Sequence, residues 1–174
     1  MSKLTRLTPL LLLTLALSGC GPDKNEFAPP CPSATLVKGL DELTRYAPGG
    51  GRDLTDTIVQ GRVVALNGSC RLTDKKGTTV EAVATVGAEL LRGPAMRGRH
   101  QDVTIFIAVT EGKEVLDKRV FQVPVDFPTN IESVRLTSPE MRLILPTSPS
   151  KSPAAFNIIA GFQLTPEELA ANLR

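Results

Sequence analysis

His100 is the only histidine in the chain of 174 residues, and Asp102 stands two positions beyond it. On an extended strand these two side chains share a face, so the carboxylate could orient the imidazole as a general base. Hydrolysis would also need an activated nucleophile, but the sequence holds no Gly-x-Ser-x-Gly turn of a serine hydrolase; nor does it hold a Cys-x-x-Cys pair for redox or metal chemistry. No residue is therefore assigned to catalysis. Arg92, Arg97 and Arg99 lie in the same stretch, Arg92-Gly93-Pro94-Ala95-Met96-Arg97-Gly98-Arg99-His100. Guanidinium groups donate paired hydrogen bonds to carboxylates and phosphates. Arg92, Arg97, Arg99 and His100 thus form a candidate loop for an anion or an acidic partner; the alternative is an exposed hairpin that its charge keeps soluble and unpaired. Neighbouring carboxylates occur at Asp41 with Glu42, Asp53 with Asp56, and Glu167 with Glu168. None sits in the alternating oxygen pattern of a calcium loop, and one histidine with three scattered cysteines makes no zinc set. No metal and no cofactor are expected.

Positioning such residues falls to a chain written mostly in period two. Val80, Ala82, Ala84, Val86, Ala88 and Leu90 alternate with Glu81, Val83, Thr85, Gly87 and Glu89. Phe156, Ile158, Ala160, Phe162 and Leu164 alternate in the same way with Asn157, Ile159, Gly161 and Gln163, the pattern of a strand with one buried face. Thr57–Leu66, Cys70–Asp74, Val103–Thr110, Val115–Val125, Ile131–Leu136 and Met141–Leu145 read as further strands between Gly, Pro, Asn and Asp clusters. Such segments with short turns predict a mainly β fold, an immunoglobulin-like or fibronectin-like antiparallel β-sandwich. Leu116 and Val120 lie on one phase and Phe121, Val123 and Val125 on the other, which predicts a bulge near Arg119–Phe121. Pro124 and Pro128 place that strand at a sheet edge. Leu36, Leu40 and Leu43 predict a short N-terminal amphipathic helix over Ser33–Tyr46, ended by Pro48 and the glycines 49–51. That glycine run lacks the Gly-Lys-Ser/Thr of a phosphate loop and reads as a flexible connection. Thr165, Pro166 and Glu168 supply the N-cap, first-turn proline and capping-box glutamate of a short C-terminal helix.

Near the start, Lys3 and Arg6 precede an apolar run from Pro9 to Ala16, and Leu17-Ser18-Gly19-Cys20 follows. The run is too short for a stable membrane-spanning helix, and the order of charge, apolar stretch and small residues is that of a secretory signal. These four residues resemble a bacterial lipobox. The resemblance implies that residues 1–19 are a lipoprotein signal peptide, removed on export. It further implies that Cys20 carries a diacylglycerol and an acylated amino group, so that two or three chains hold the protein on the membrane. Gly21, in a position where inner-membrane lipoproteins often carry Asp, points toward the outer membrane and a periplasm-facing domain. An ordinary secretory signal or a short membrane helix is the alternative. Residues 20–32, rich in proline, form a lipidated flexible tether, and residues 33–174 a single domain.

Loss of the leader takes Lys3 and Arg6 from 20 basic side chains and nothing from 18 acidic ones, leaving 18 against 18. A neutral chain with no Trp, one Tyr and six Phe offers neither the basic groove nor the exposed aromatics that nucleic acid requires. In an oxidising compartment Cys31 and Cys70 are expected to form a disulfide. Beyond the lipobox, Cys31-Pro32, the runs 43–49 and 51–56, Gly68-Ser69-Cys70, Val125-Asp126-Phe127-Pro128 and the run 161–167 are similar to small alphaproteobacterial lipoproteins of unassigned function. That resemblance implies export and the Cys31–Cys70 pairing, and it implies no ligand or reaction. The function expected is that of a non-enzymatic envelope lipoprotein, a scaffold or protein-binding module. Its partners are the membrane, through Cys20, and an envelope protein; the oligomeric state stays open. The alternatives are an envelope hydrolase acting on cell wall or lipid through His100 and Asp102, and a carrier of a hydrophobic ligand.

Overall fold

The computed structural model describes residues 31–73, 79–148 and 150–173. The expected signal peptide, Cys20, the tether as far as residue 30 and the strand end at Asp74 lie outside the described residues. In chain order come β1 (Ser33–Leu36), β2 (Glu42–Tyr46), β3 (Thr57–Leu72), β4 (Val80–Arg92) and β5 (His100–Glu111). They are followed by β6 (Glu114–Asp126), β7 (Ser133–Thr137), β8 (Met141–Leu145), β9 (Phe156–Phe162) and α1 (Pro166–Asn172). Among the described residues no helix is long and apolar enough to cross a membrane.

The strands make two sheets. One runs β1-β9-β5-β6, and the other runs β2-β3-β4, with β7 and β8 sharing the remaining edge of β4. Alternation decides what is buried. Val80, Ala82, Ala84, Val86, Ala88 and Leu90 of β4 are fully enclosed, while Glu81 and Glu89 turn to the outer face. Val103, Ile105, Ile107 and Val109 of β5, with Phe156, Ile158, Ala160 and Phe162 of β9, supply the facing half of a single apolar cluster. The mainly β expectation therefore holds, and the two sheets share one interior. β6 is an edge strand, as Pro124 requires, since proline cannot donate to a ladder.

Three local expectations are corrected. The N-terminal helix over Ser33–Tyr46 does not form: the segment gives β1, a turn and β2, and among the described residues α1 is the only α-helix. The leucine spacing was a weak signal because the sheets claim the backbone. β1 pairs in parallel with Asn157–Ala160, the Leu40 carbonyl accepts from Phe162 N–H, and the Asp41 carbonyl accepts from Val63 N–H. Gly39 adopts φ +85°, a conformation in which a helix cannot continue. Second, the segments expected at Thr57–Leu66 and from Cys70 onward are, over the described residues, one strand that ends at Leu72, because Asn67, Gly68 and Ser69 pair with Thr85, Ala84 and Val83 despite their turn-like composition. Third, the ladder between β5 and β6 is regular at Arg119–Phe121. Its irregularity lies a few residues earlier, between Val109 and Thr110, opposite Asp117 and Val115; Leu116 and Val120 both lie on the exposed face.

The terminal helix forms as expected. Thr165 Oγ1 accepts from Glu168 N–H at 3.2 Å and Glu168 Oε2 accepts from Thr165 N–H at 2.8 Å, which is a complete capping box. Asn172 donates to the carbonyls of Gly39 and Glu42, tying α1 to the turn before β2.

The Cys31–Cys70 disulfide fastens the chain just before β1 to the distal part of β3, with the two Cα atoms 5.2 Å apart. It also defines a pole. Strand register places Cys31, Cys70, Leu72, Leu145 and the β5–β6 hairpin at one end. The end of β2, the β4–β5 loop, His100 and the start of α1 lie at the other. From Cys70 back to Thr57 the strand covers about 40 Å at the usual rise per residue.

Candidate functional site at the pole opposite Cys31

The sequence candidates that are described, apart from the two disulfide cysteines, meet at this far pole. His100 opens β5 directly across the ladder from Asp126 at the end of β6. Its Nδ1 lies 2.9 Å from Asp126 Oδ1 and its Nε2 lies 3.4 Å from Asp102 Oδ1. Gln122 donates to the other Asp102 oxygen at 3.3 Å. The hydrogen bond to Asp126 is the main reason that His100 titrates above its ordinary value. Desolvation, the next largest effect, opposes the shift, and the charges of Asp126 and Asp102 add to it. Asp102 was visible from the i, i+2 spacing; Asp126, the stronger partner, is 26 residues away and was not. With a carboxylate against each ring nitrogen, the surroundings of the imidazole favour its charged form. A general base needs one nitrogen free toward its substrate.

The three arginines are brought to one loop but do different things. Arg92 donates through Nη2 to the Met96 carbonyl at 3.0 Å and through Nε to Gly98 at 3.4 Å, and its Nη1 lies 3.5 Å from Glu132. Arg99 donates to the carbonyls of Pro128 at 2.5 Å and Phe127 at 3.3 Å. These two guanidinium groups brace the loops at residues 93–99 and 127–132 from within. Arg97 is exposed and no partner of its side chain is seen among the described residues.

A residue that sequence reasoning passed over links this loop to the terminal helix. Arg45, at the end of β2, donates through Nε to Glu168 Oε1 at 3.1 Å and through Nη1 to the Asp102 carbonyl at 3.1 Å. Its contacts join β2, α1 and β5, and only the fold brings positions 45, 102 and 168 together. Beside it, between β2, the loop at residues 47–52 and α1, lies a groove of about 430 Å³, with Thr44, Tyr46, Arg52, Thr165, Glu167 and Ala171 in its lining. A smaller hollow of about 330 Å³ lies beside β2 over Gln60, Arg62, Glu89 and Leu91.

Elsewhere the main charged cluster is internally matched. Glu81 accepts from Arg71 at 3.0 Å and from Arg142 at 2.7 Å across three strands, toward the Cys70 end. Those contacts, Arg71 first, hold its carboxyl below the ordinary value against some desolvation. Among the described residues, no group of three or more His, Cys, Asp or Glu is arranged to hold a metal ion. The far pole offers an exposed guanidinium at Arg97, a histidine held between two carboxylates, and a groove beside a strand edge.

Comparison with protein-family models, with curated proteins and with solved structures finds no match to this chain.

Proposed function

We propose that the chain is a lipid-anchored, periplasm-facing envelope lipoprotein whose β domain is a non-enzymatic scaffold or protein-binding module, held on the outer membrane through Cys20. The observation that carries this reading is polarity. The segment leading from Cys20 enters the fold at Cys31, and the exposed polar groups with room around them gather at the end of the sheets opposite Cys31. A domain tethered at one end would present the other to partners in the periplasm. The sandwich is assigned to the immunoglobulin-like or fibronectin-like type as part of the same proposal. Two sheets over one apolar interior support it. Immunoglobulin domains pair their last two strands as neighbours, whereas β9 lies between β1 and β5, so the kinship proposed is one of architecture and not of strand order.

The hydrolase reading through His100 and Asp102 is disfavoured by the carboxylate against each ring nitrogen. Carriage of a hydrophobic ligand gains no support from the two hollows, which border β2 and carry charged side chains such as Arg52, Glu167, Arg62 and Glu89 in their linings.

Growth with labelled fatty acid tests the anchor. Label is expected in the wild-type chain, and Cys20→Ala is expected to lose the label and leave the membrane fraction. Label retained by the variant would reject the assignment. Site-specific photocrosslinking from Arg97 in intact cells, with the exposed position Ile144 as control, tests the orientation: adducts with envelope proteins are expected from residue 97 in preference to residue 144.

A further inference from the structure

β2 is an edge strand. It pairs with β3 on one side, and among the described residues no strand pairs with it on the other. The Asp41 carbonyl accepts from Val63 N–H, and Ala47 N–H donates to the Asp56 carbonyl, so the odd-numbered residues of this stretch turn their backbone groups toward β3. Antiparallel geometry then sends the N–H and C=O of Glu42 and Thr44 the other way. At Glu42 the outward carbonyl is already answered, by the side-chain amide of Asn172 on α1 at 2.8 Å. Thr44 is the next outward residue, and it borders the groove of about 430 Å³ between β2 and α1. A side chain of α1 therefore occupies, for one position, the place where an additional strand would pair, and at the following position that place is open.

The charges around the groove narrow what fits. Arg45 is committed to Glu168 and to the Asp102 carbonyl. Arg52 and Glu167 also line the groove, and neither takes part in an ion pair among the described residues. One unmatched guanidinium favours a carboxylate, while Glu167 beside it disfavours a run of acids. In the lipoprotein reading the chain's own remaining segments are held elsewhere. Residues 21–30 run from Cys31 to the anchor at Cys20, and Thr44, which pairs with Gln60, lies about 33 Å of strand from the Cys31–Cys70 bridge. Residues 74–78 connect Thr73 to Thr79, whose backbones are hydrogen-bonded at the Cys70 end.

We infer that the groove between β2 and α1 receives an extended segment of a partner polypeptide, which adds to β2 as a further strand and places a single carboxylate against Arg52. Main-chain bonds to Thr44 supply affinity that depends little on sequence, and Arg52 with Glu167 supplies the preference. The inference rests on the protein-binding reading above and names its partner chemistry.

Peptides selected from a random phage-displayed library against the full mature chain, then synthesised with a fluorophore, provide the probe. Saturable binding by a peptide with an acidic residue or a free carboxyl terminus is expected, together with protection of the Thr44 amide from hydrogen exchange. Arg52→Glu lies on an exposed loop and should weaken binding about tenfold, with recovery when the peptide's acid is changed to lysine. Thr44→Pro removes one outward N–H at a strand edge, where proline is tolerated, and should weaken binding comparably. A library that yields no binder, or binders indifferent to both variants, would overturn the inference. Binders that protect the loop around Arg97 and His100 would overturn the groove and leave the wider reading standing. A chain that binds no peptide and crosslinks to no envelope protein would overturn both.

Discussion

Removing the Cys31–Cys70 bridge, as Cys31→Ala with Cys70→Ala, tests the energetic role assigned to it. The two residues are 39 apart in sequence. Closing a loop of that length lowers the entropy of the unfolded chain by about 13 cal/mol/K, which destabilises the unfolded state by about 4 kcal/mol at room temperature. A domain of this size has a total stability of about 5–15 kcal/mol, so the change is a large fraction of the whole. With an unfolding entropy of about 2.1 cal/mol/K per residue over roughly 140 residues, 4 kcal/mol corresponds to a fall in Tm of about 13 °C. The loss should not be spread evenly. β1 has four residues, lies at a sheet edge and keeps three of them exposed, so its amides should lose hydrogen-exchange protection before those of β4 and β5. Thermal unfolding by circular dichroism, with exchange on the oxidised and variant chains, reads both effects. A Tm within 3 °C of wild type, or equal protection of β1 in the two chains, would refute the loop-entropy reasoning.

Other perturbations follow from single sites. A β-carbon at Gly93 would fall on the Thr57 carbonyl, where the turn packs backbone on backbone, so Gly93→Ala is expected to cost about 3 kcal/mol in urea denaturation; a change below 1 kcal/mol would contradict the packing. Phe127 is 1% exposed at the base of the far pole, and Phe127→Ala should cost about 3–5 kcal/mol, while Ile144→Ala, at a site 62% exposed, should stay within about 0.5 kcal/mol. His100 has its pKa raised in the folded state, first by the hydrogen bond to Asp126. The stability this clasp contributes is therefore complete below the unfolded value of about 6.5 and is lost as pH rises through the higher folded value. Because His100 is the only histidine, one NMR titration measures it: a midpoint above 6.5 is expected in the wild type and a lower one in Asp126→Asn, and a wild-type midpoint at or below 6.5 would contradict the geometry.

Much of the fold was legible because alternation is a local property. The alternating residues of β4 and β9, the edge position of the strand carrying Pro124, and the capping box at Thr165 and Glu168 each follow from residues within a few positions of one another. The disulfide was also legible, since only two cysteines remain once Cys20 is set aside. Local signals failed where a distant strand competed for the same backbone. Leu36, Leu40 and Leu43 have helical spacing, but β9 and β3 take the carbonyls that a helix would use. Asn67, Gly68 and Ser69 resemble a turn, but β4 runs alongside them without a break.

The far pole divides in the same way. By itself the sequence determined a pattern of buried faces, a pair of cysteines, an expected lipid address at Cys20, and a histidine with an acid two residues on. Only the tertiary structure decided that Asp126 clasps that histidine, that Arg92 and Arg99 bind their own loops, and that Arg45 joins three elements beside a groove at an open strand edge. The physical reason is range. Alternation and capping are set by neighbours along the chain, whereas a salt bridge or a groove depends on which strands lie side by side, and that is fixed by burial of the whole apolar interior.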